Sequence, residues 1–121
     1  MGKLFENFPV YQNCLKTAGE INRLCSSIKG AEYLYLKDQI RRASTSIVLN
    51  IAEGSGKWGK KDKVNFYRIS RGSAYECMAG LDLLDVFNII DSENISRLKT
   101  NLSKIVSELQ ALIISIEKRN K

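Results

Sequence analysis

Gln39-Ile40-Arg41-Arg42-Ala43-Ser44-Thr45-Ser46-Ile47-Val48-Leu49-Asn50-Ile51-Ala52-Glu53-Gly54 is the stretch that decides how this chain folds. With Leu36 just ahead of it, Ile40, Ala43, Ile47 and Ile51 recur at steps of four, three, four and four, the spacing of one helix face. Ser46, Asn50 and Glu53 keep helical spacing beside or on that face, so a polar seam is expected along the core. Arg41 and Arg42 point elsewhere. Gly54-Ser55-Gly56 is expected to end the helix, because glycine accepts the left-handed conformation found past helix ends.

Working outward, the same logic places three more helices. Upstream, Pro9 suits a first helical turn. Cys14, Ala18, Ile21, Cys25 and Ile28 follow it as a heptad-like stripe. The central helix spans about residues 32–54, opened by Tyr33 and Tyr35, which suit packing against a neighbour better than an aromatic ligand site. Downstream, a third helix runs from Lys60 to about Asn88. Val64, Tyr67, Arg71 and Ala74 mark one row of it. Phe66, Ile69, Ser70, Ser73, Cys77, Leu81 and Leu84 mark its apolar side. Gly72 and Gly80 each cost about 1 kcal/mol against alanine inside a helix, a cost best explained by close approach of a neighbouring helix. The fourth helix is capped at Asp91-Ser92-Glu93. It carries Ile95, Leu98, Leu102, Ile105, Leu109, Leu112 and Ile116 at alternating steps of three and four, and closes with Lys118-Arg119-Asn120-Lys121.

Four amphipathic helices with short connections predict an all-α, antiparallel up-down-up-down four-helix bundle, one domain over residues 1–121. The stripes of the third and fourth helices are wider than one bundle interior needs, which points to self-association.

Composition excludes several classes. No apolar run approaches the roughly 20 residues of a membrane span. The N-terminus shows no signal segment, so no membrane partner and a cytoplasmic location are expected. The three cysteines are an odd number at wide spacing, and Cys14, Cys25 and Cys77 read as small core hydrophobes. There is no histidine, which removes the commonest general base and transition-metal ligand together. A carboxylate metal site built on Glu53 and Glu76 would lack the histidines such bundles use. Neither an enzyme nor a cofactor is expected, and the glycines around Trp58 match no phosphate loop.

Charge is the informative feature. Nine basic residues and three acidic ones lie between Lys37 and Arg71, and that excess equals the whole net charge of +6. Residues 72–95 carry five acidic residues and no basic one. Clustered lysine and arginine displace counterions from phosphates, and Trp58 among lysines is placed to stack on a base. The candidate contacts are Arg41, Arg42, Lys57, Trp58, Lys60, Lys61, Lys63, Arg68 and Arg71. The plainer reading is a solvated basic face. Ser46, Asn50 and Glu53, with Ser73 and Glu76, are expected to form a structural hydrogen-bond network.

Gln39 to Ala43, Ser46-Ile47, Asn50 to Gly54, Phe66 to Ile69, Gly72-Ser73 and Glu76 closely resemble the four helix bundle protein family. These are the proteins encoded in intervening sequences of bacterial large-subunit ribosomal RNA genes, grouped with the accessory variability determinants of diversity-generating retroelements. The resemblance covers nearly the whole chain. It implies a bundle that assembles as a homopentameric ring and binds RNA or DNA through a basic surface, with a reverse transcriptase as partner in the retroelement branch. Val48-Leu49 stands where many members carry proline and alanine, so this central helix is expected to be straighter than theirs. A different class of function is an adaptor whose main ligand is a protein, with basic charge steering the contact.

Overall fold

The computed structural model describes residues 5–119. A short 3-10 turn at Phe5–Asn7 precedes four helices: α1 Pro9–Ser26, α2 Leu34–Ser55, α3 Lys60–Val86 and α4 Ser92–Glu117. Each helix packs on its two sequence or ring neighbours, most extensively α2 on α3 and α3 on α4. The result is the expected up-down-up-down bundle, with no strand among the described residues. At 1.5 Å per residue, α3 is about 40 Å long.

The stripes fill one core. Leu36, Ile40, Ala43, Ile47 and Ile51 of α2 are all buried, as are Ile95, Leu98, Leu102, Ile105, Leu109 and Ile116 of α4. On α1, Thr17 rather than Ala18 is the buried residue between Cys14 and Ile21. Ile69 is exposed, not part of the apolar side of α3. Tyr33 stacks on Phe87 with ring centroids 6.0 Å apart, whereas Tyr35 is exposed. Among the described residues no helix is long and apolar enough to cross a membrane.

The helix ends differ from expectation in one instructive way. Gly54 lies inside the last turn of α2, and Gly56 closes that helix with φ −84°, in the right-handed region. Neither supplies a left-handed cap. Gly54 is glycine because a Cβ there would sit 2.9 Å from the Tyr67 ring. Left-handed residues appear instead after α1, where Gly30 has φ 85°, and after α3, where Asn88 has φ 59°. There Ile89 N donates to the Leu84 carbonyl and Asn88 N to that of Asp85, the two bonds of a Schellman motif. Asp91 caps α4 by accepting from Asn94 N at 3.1 Å. The C-terminal cations were expected through Lys121; Asn120 and Lys121 lie outside the described residues.

Candidate nucleic-acid interface

The up-down path brings the end of α2, the start of α3 and the end of α4 together. A four-residue turn separates α2 from α3, so Lys57, Lys60, Lys61 and Lys63 gather at that end of the bundle. Lys118 and Arg119 join them. The Lys60 ammonium donates to the Arg119 carbonyl. Lys63 has its ammonium pKa held below the ordinary lysine value, by burial first and by Arg119 second. Counting charge along the chain passed over Lys118 and Arg119; antiparallel topology alone would have placed them. Asp82, Asp85, Asp91 and Glu93 sit at the opposite end together with Arg23, Lys29, Lys37, Arg97 and Lys99, Lys99 pairing with Asp82 at 2.6 Å, so the excess positive charge is left at the basic end.

The nine-residue basic cluster of the sequence is therefore not one patch. Arg42 lies about 20 Å from the basic end, at 1.5 Å per residue of α2. It is exposed on the outer face of that helix. Arg41 turns toward α1, donating to Asn22 Oδ1 at 3.1 Å and Ser26 Oγ at 3.0 Å. Arg68 pairs with Glu117 at 2.7 Å and Arg71 donates to Gln110, both across the α3–α4 groove. Lys63 is spent on structure: its ammonium donates to the carbonyls of Gly54 and Ser55 at 3.3 and 3.0 Å, capping α2. Lys57 pairs with Glu53 at 3.3 Å and lies over the Phe66 ring. Lys61, Lys118 and Arg119 are exposed. Lys60, Lys61, Val64, Arg68 and Glu117 line a shallow groove of about 390 Å³ beside them. Trp58 is 100% exposed at the tip of the turn.

The polar seam is shorter than the five residues expected for it. The Ser46 and Ser73 hydroxyls lie 2.8 Å apart, and Asn50 Nδ2 donates to Ser46 O and Oγ at 2.9 and 3.0 Å. Glu53 and Glu76 stand outside this network, both exposed; Glu76 accepts from Gln39 and Glu53 from Lys57. Ser70, read only as part of an apolar row, donates to the Ile47 carbonyl at 2.8 Å inside the core. No buried side-chain polar atom among the described residues lacks a partner. The Ser46–Ser73 and Ser70–Ile47 bonds thus tie α2 to α3.

A second stripe runs along the outside of α3. Asn65, Ile69, Gly72, Glu76, Ala79, Leu83 and Val86 recur at steps of four and three, and all are exposed. A Cβ at Gly80 would meet Ile40 Cγ1 at 2.5 Å, which accounts for that glycine. A Cβ at Gly72 would meet nothing within 4 Å, so the close approach expected there is not made inside the protomer. The apolar surplus expected on both α3 and α4 belongs to α3; Ile114 is the one large hydrophobic of α4 that is exposed.

Burial also decides what the thiols can do. It pushes Cys14 and Cys77 up to about 12 and raises Cys25 as well. Such thiols are protonated near neutral pH and shielded from solvent, so they offer no nucleophile.

Comparisons with known proteins agree with the fold. The profile of the family described as 23S rRNA-intervening sequence protein matches residues 6–111. The fold is similar to a crystal structure from Bacteroides thetaiotaomicron, of a protein with unknown function from the S23 ribosomal protein family. That similarity has a TM-score of 0.79 and 26% identity, and covers 86% of this chain and 97% of the other. No curated protein matches the chain.

Proposed function

The chain belongs to the 23S rRNA-intervening sequence protein family, and we propose a non-enzymatic nucleic-acid-binding accessory protein that works as a homo-oligomer. The observation that carries the reading is the basic end, where Lys60, Lys61, Lys118 and Arg119 meet around the start of α3. Phosphates bound there would release condensed counterions and would face the backbone N–H groups of a helix start. Contact through phosphates carries little sequence preference. A ring of such protomers, pentameric in the reading the resemblance gives, repeats the patch and turns weak contacts into avidity.

The adaptor reading keeps one specific support. Arg41, Arg68, Arg71 and Lys63 have partners within the protomer, which leaves a modest basic surface suited to a protein contact, such as a reverse transcriptase.

Titration of a labelled oligonucleotide at two salt concentrations separates the readings. Binding should weaken with salt by about 0.9 counterions per phosphate neutralised on duplex DNA and about 0.7 on a single strand. Changing Lys60, Lys61, Lys118 and Arg119 together to glutamine should flatten that slope while the melting temperature holds. An unchanged slope in the variant would show that the patch is the wrong one. Absence of binding by the parent at low salt would leave the adaptor.

A further inference from the structure

Trp58 poses a physical problem that the fold does not answer. A tryptophan can bury 150–250 Å² of apolar surface, and burial is where its stabilising contribution arises. Here the side chain is 100% exposed. It stands in the link Gly56-Lys57-Trp58-Gly59 between α2 and α3. A Cβ at Gly59 would meet nothing within 4 Å, and one at Gly56 would meet only the carbonyls of Glu53 and Ala52. Both faces of the indole are therefore open to a ligand. The adjacent ammonium is not held against it: Lys57 lies 5.2 Å from the centroid of the Phe66 ring and pairs with Glu53.

The surroundings select among ligands. Lys60 and Lys61 follow within three residues, with Arg119 beside Lys60. A membrane anchor would need apolar neighbours at the same level, and the turn offers none. An open π-face ringed by cations fits a base with its phosphates. In a duplex the base faces are already stacked on one another, so an indole can cover a base only where it is unpaired.

We infer that Trp58 is a stacking platform for an unpaired base, so that the basic end of the bundle takes single-stranded nucleic acid in preference to duplex. The inference rests on the nucleic-acid reading above and adds its substrate class. DNA and RNA share the base face and the phosphates, so both strands belong in the test.

Trp58 is the sole tryptophan of the chain, so its emission reports this site alone. The full chain is titrated with a labelled 12-nucleotide DNA, the matching RNA and the DNA duplex, following label anisotropy and indole emission together. The free protein should emit as a water-exposed indole, and single strands should quench it. Trp58→Ala should weaken single-strand binding by roughly 5- to 150-fold, the range one stacked base carries. It should leave duplex binding and the melting temperature unchanged, and Trp58→Phe should recover part of the loss. Binding without quenching, or an equal loss on strand and duplex, overturns the stacking role and leaves the nucleic-acid reading standing. No binding of any oligonucleotide removes both. A blue-shifted emission in the free protein, or a response to anionic vesicles and not to oligonucleotides, overturns the inference in favour of a protein or a membrane contact.

Discussion

Two glycines on one helix behave oppositely, and the difference is measurable. At Gly80 an added methyl collides with Ile40, so Gly80→Ala should destabilise the bundle by about 1–3 kcal/mol through overpacking, more than the helix propensity it gains. At Gly72 the space is open, so Gly72→Ala should stabilise the isolated protomer by about 0.5–1 kcal/mol. Urea unfolding of both variants checks the pair; equal effects would mean that neither site is understood. Cysteine gives a second residue-scale prediction. All three thiols are buried and their pKa values raised, so the folded protein should react slowly with a thiol reagent at pH 8. In denaturant all three should react at once. The sequence made the cysteines legible as core, because spacing alone put them on apolar faces. It did not make the glycines legible. A helical pattern marks where a small residue sits but not which neighbour, if any, comes close, so Gly54 was assigned to a left-handed cap instead of to the Tyr67 ring.

Elements were read more reliably than their ends or their outer faces. Periodicity located all four helices because each buries one continuous stripe, and Asp91 was recognisable as a cap from residue type alone. Its carboxylate accepts from the side chain and the backbone N–H of Asn94, which hold its pKa below the ordinary value of 3.8. A carboxyl whose folded pKa is depressed stabilises the fold above its unfolded pKa, and that contribution fades as pH falls through the folded value. Asp91→Ala should therefore melt lower than the parent at pH 7, and the gap should close as the pH drops below about 4. A gap that does not narrow as the pH falls below about 4 would place the effect elsewhere. Other features were hidden for geometric reasons. α3 has two stripes, and the inner one dominates any reading of its sequence. The basic run looked continuous because a linear count ignores the fold-back at residues 56–59 and the roughly 20 Å of α2 that lies between it and Arg42. That same fold-back, with α4 antiparallel to α3, delivers Lys118 and Arg119.

At the scale of the whole molecule, the outer stripe of α3 bears on one question, whether the protomer is complete alone. Gly72 costs the helix about 1 kcal/mol with no contact inside the protomer to offset it. Ile69, Leu83 and Val86 flank it on the same face and are exposed. A helix of another copy laid along this face could approach closely at Gly72 and Ala79 and cover those apolar side chains. A contact of this stripe with a different face of the next copy would be head-to-tail, the kind that closes into a ring. Ala79→Glu with Leu83→Glu puts two charges on the stripe at positions exposed in the protomer, where substitutions ordinarily change stability by no more than about 0.5 kcal/mol each. Light scattering of parent and variant, with circular dichroism to confirm the fold, should then show a multimer turning into a folded monomer. A variant that assembles like the parent would move the interface to another face. A parent that is monomeric at micromolar concentration and moderate salt would end the ring reading, and with it the avidity that makes a small basic patch sufficient for binding.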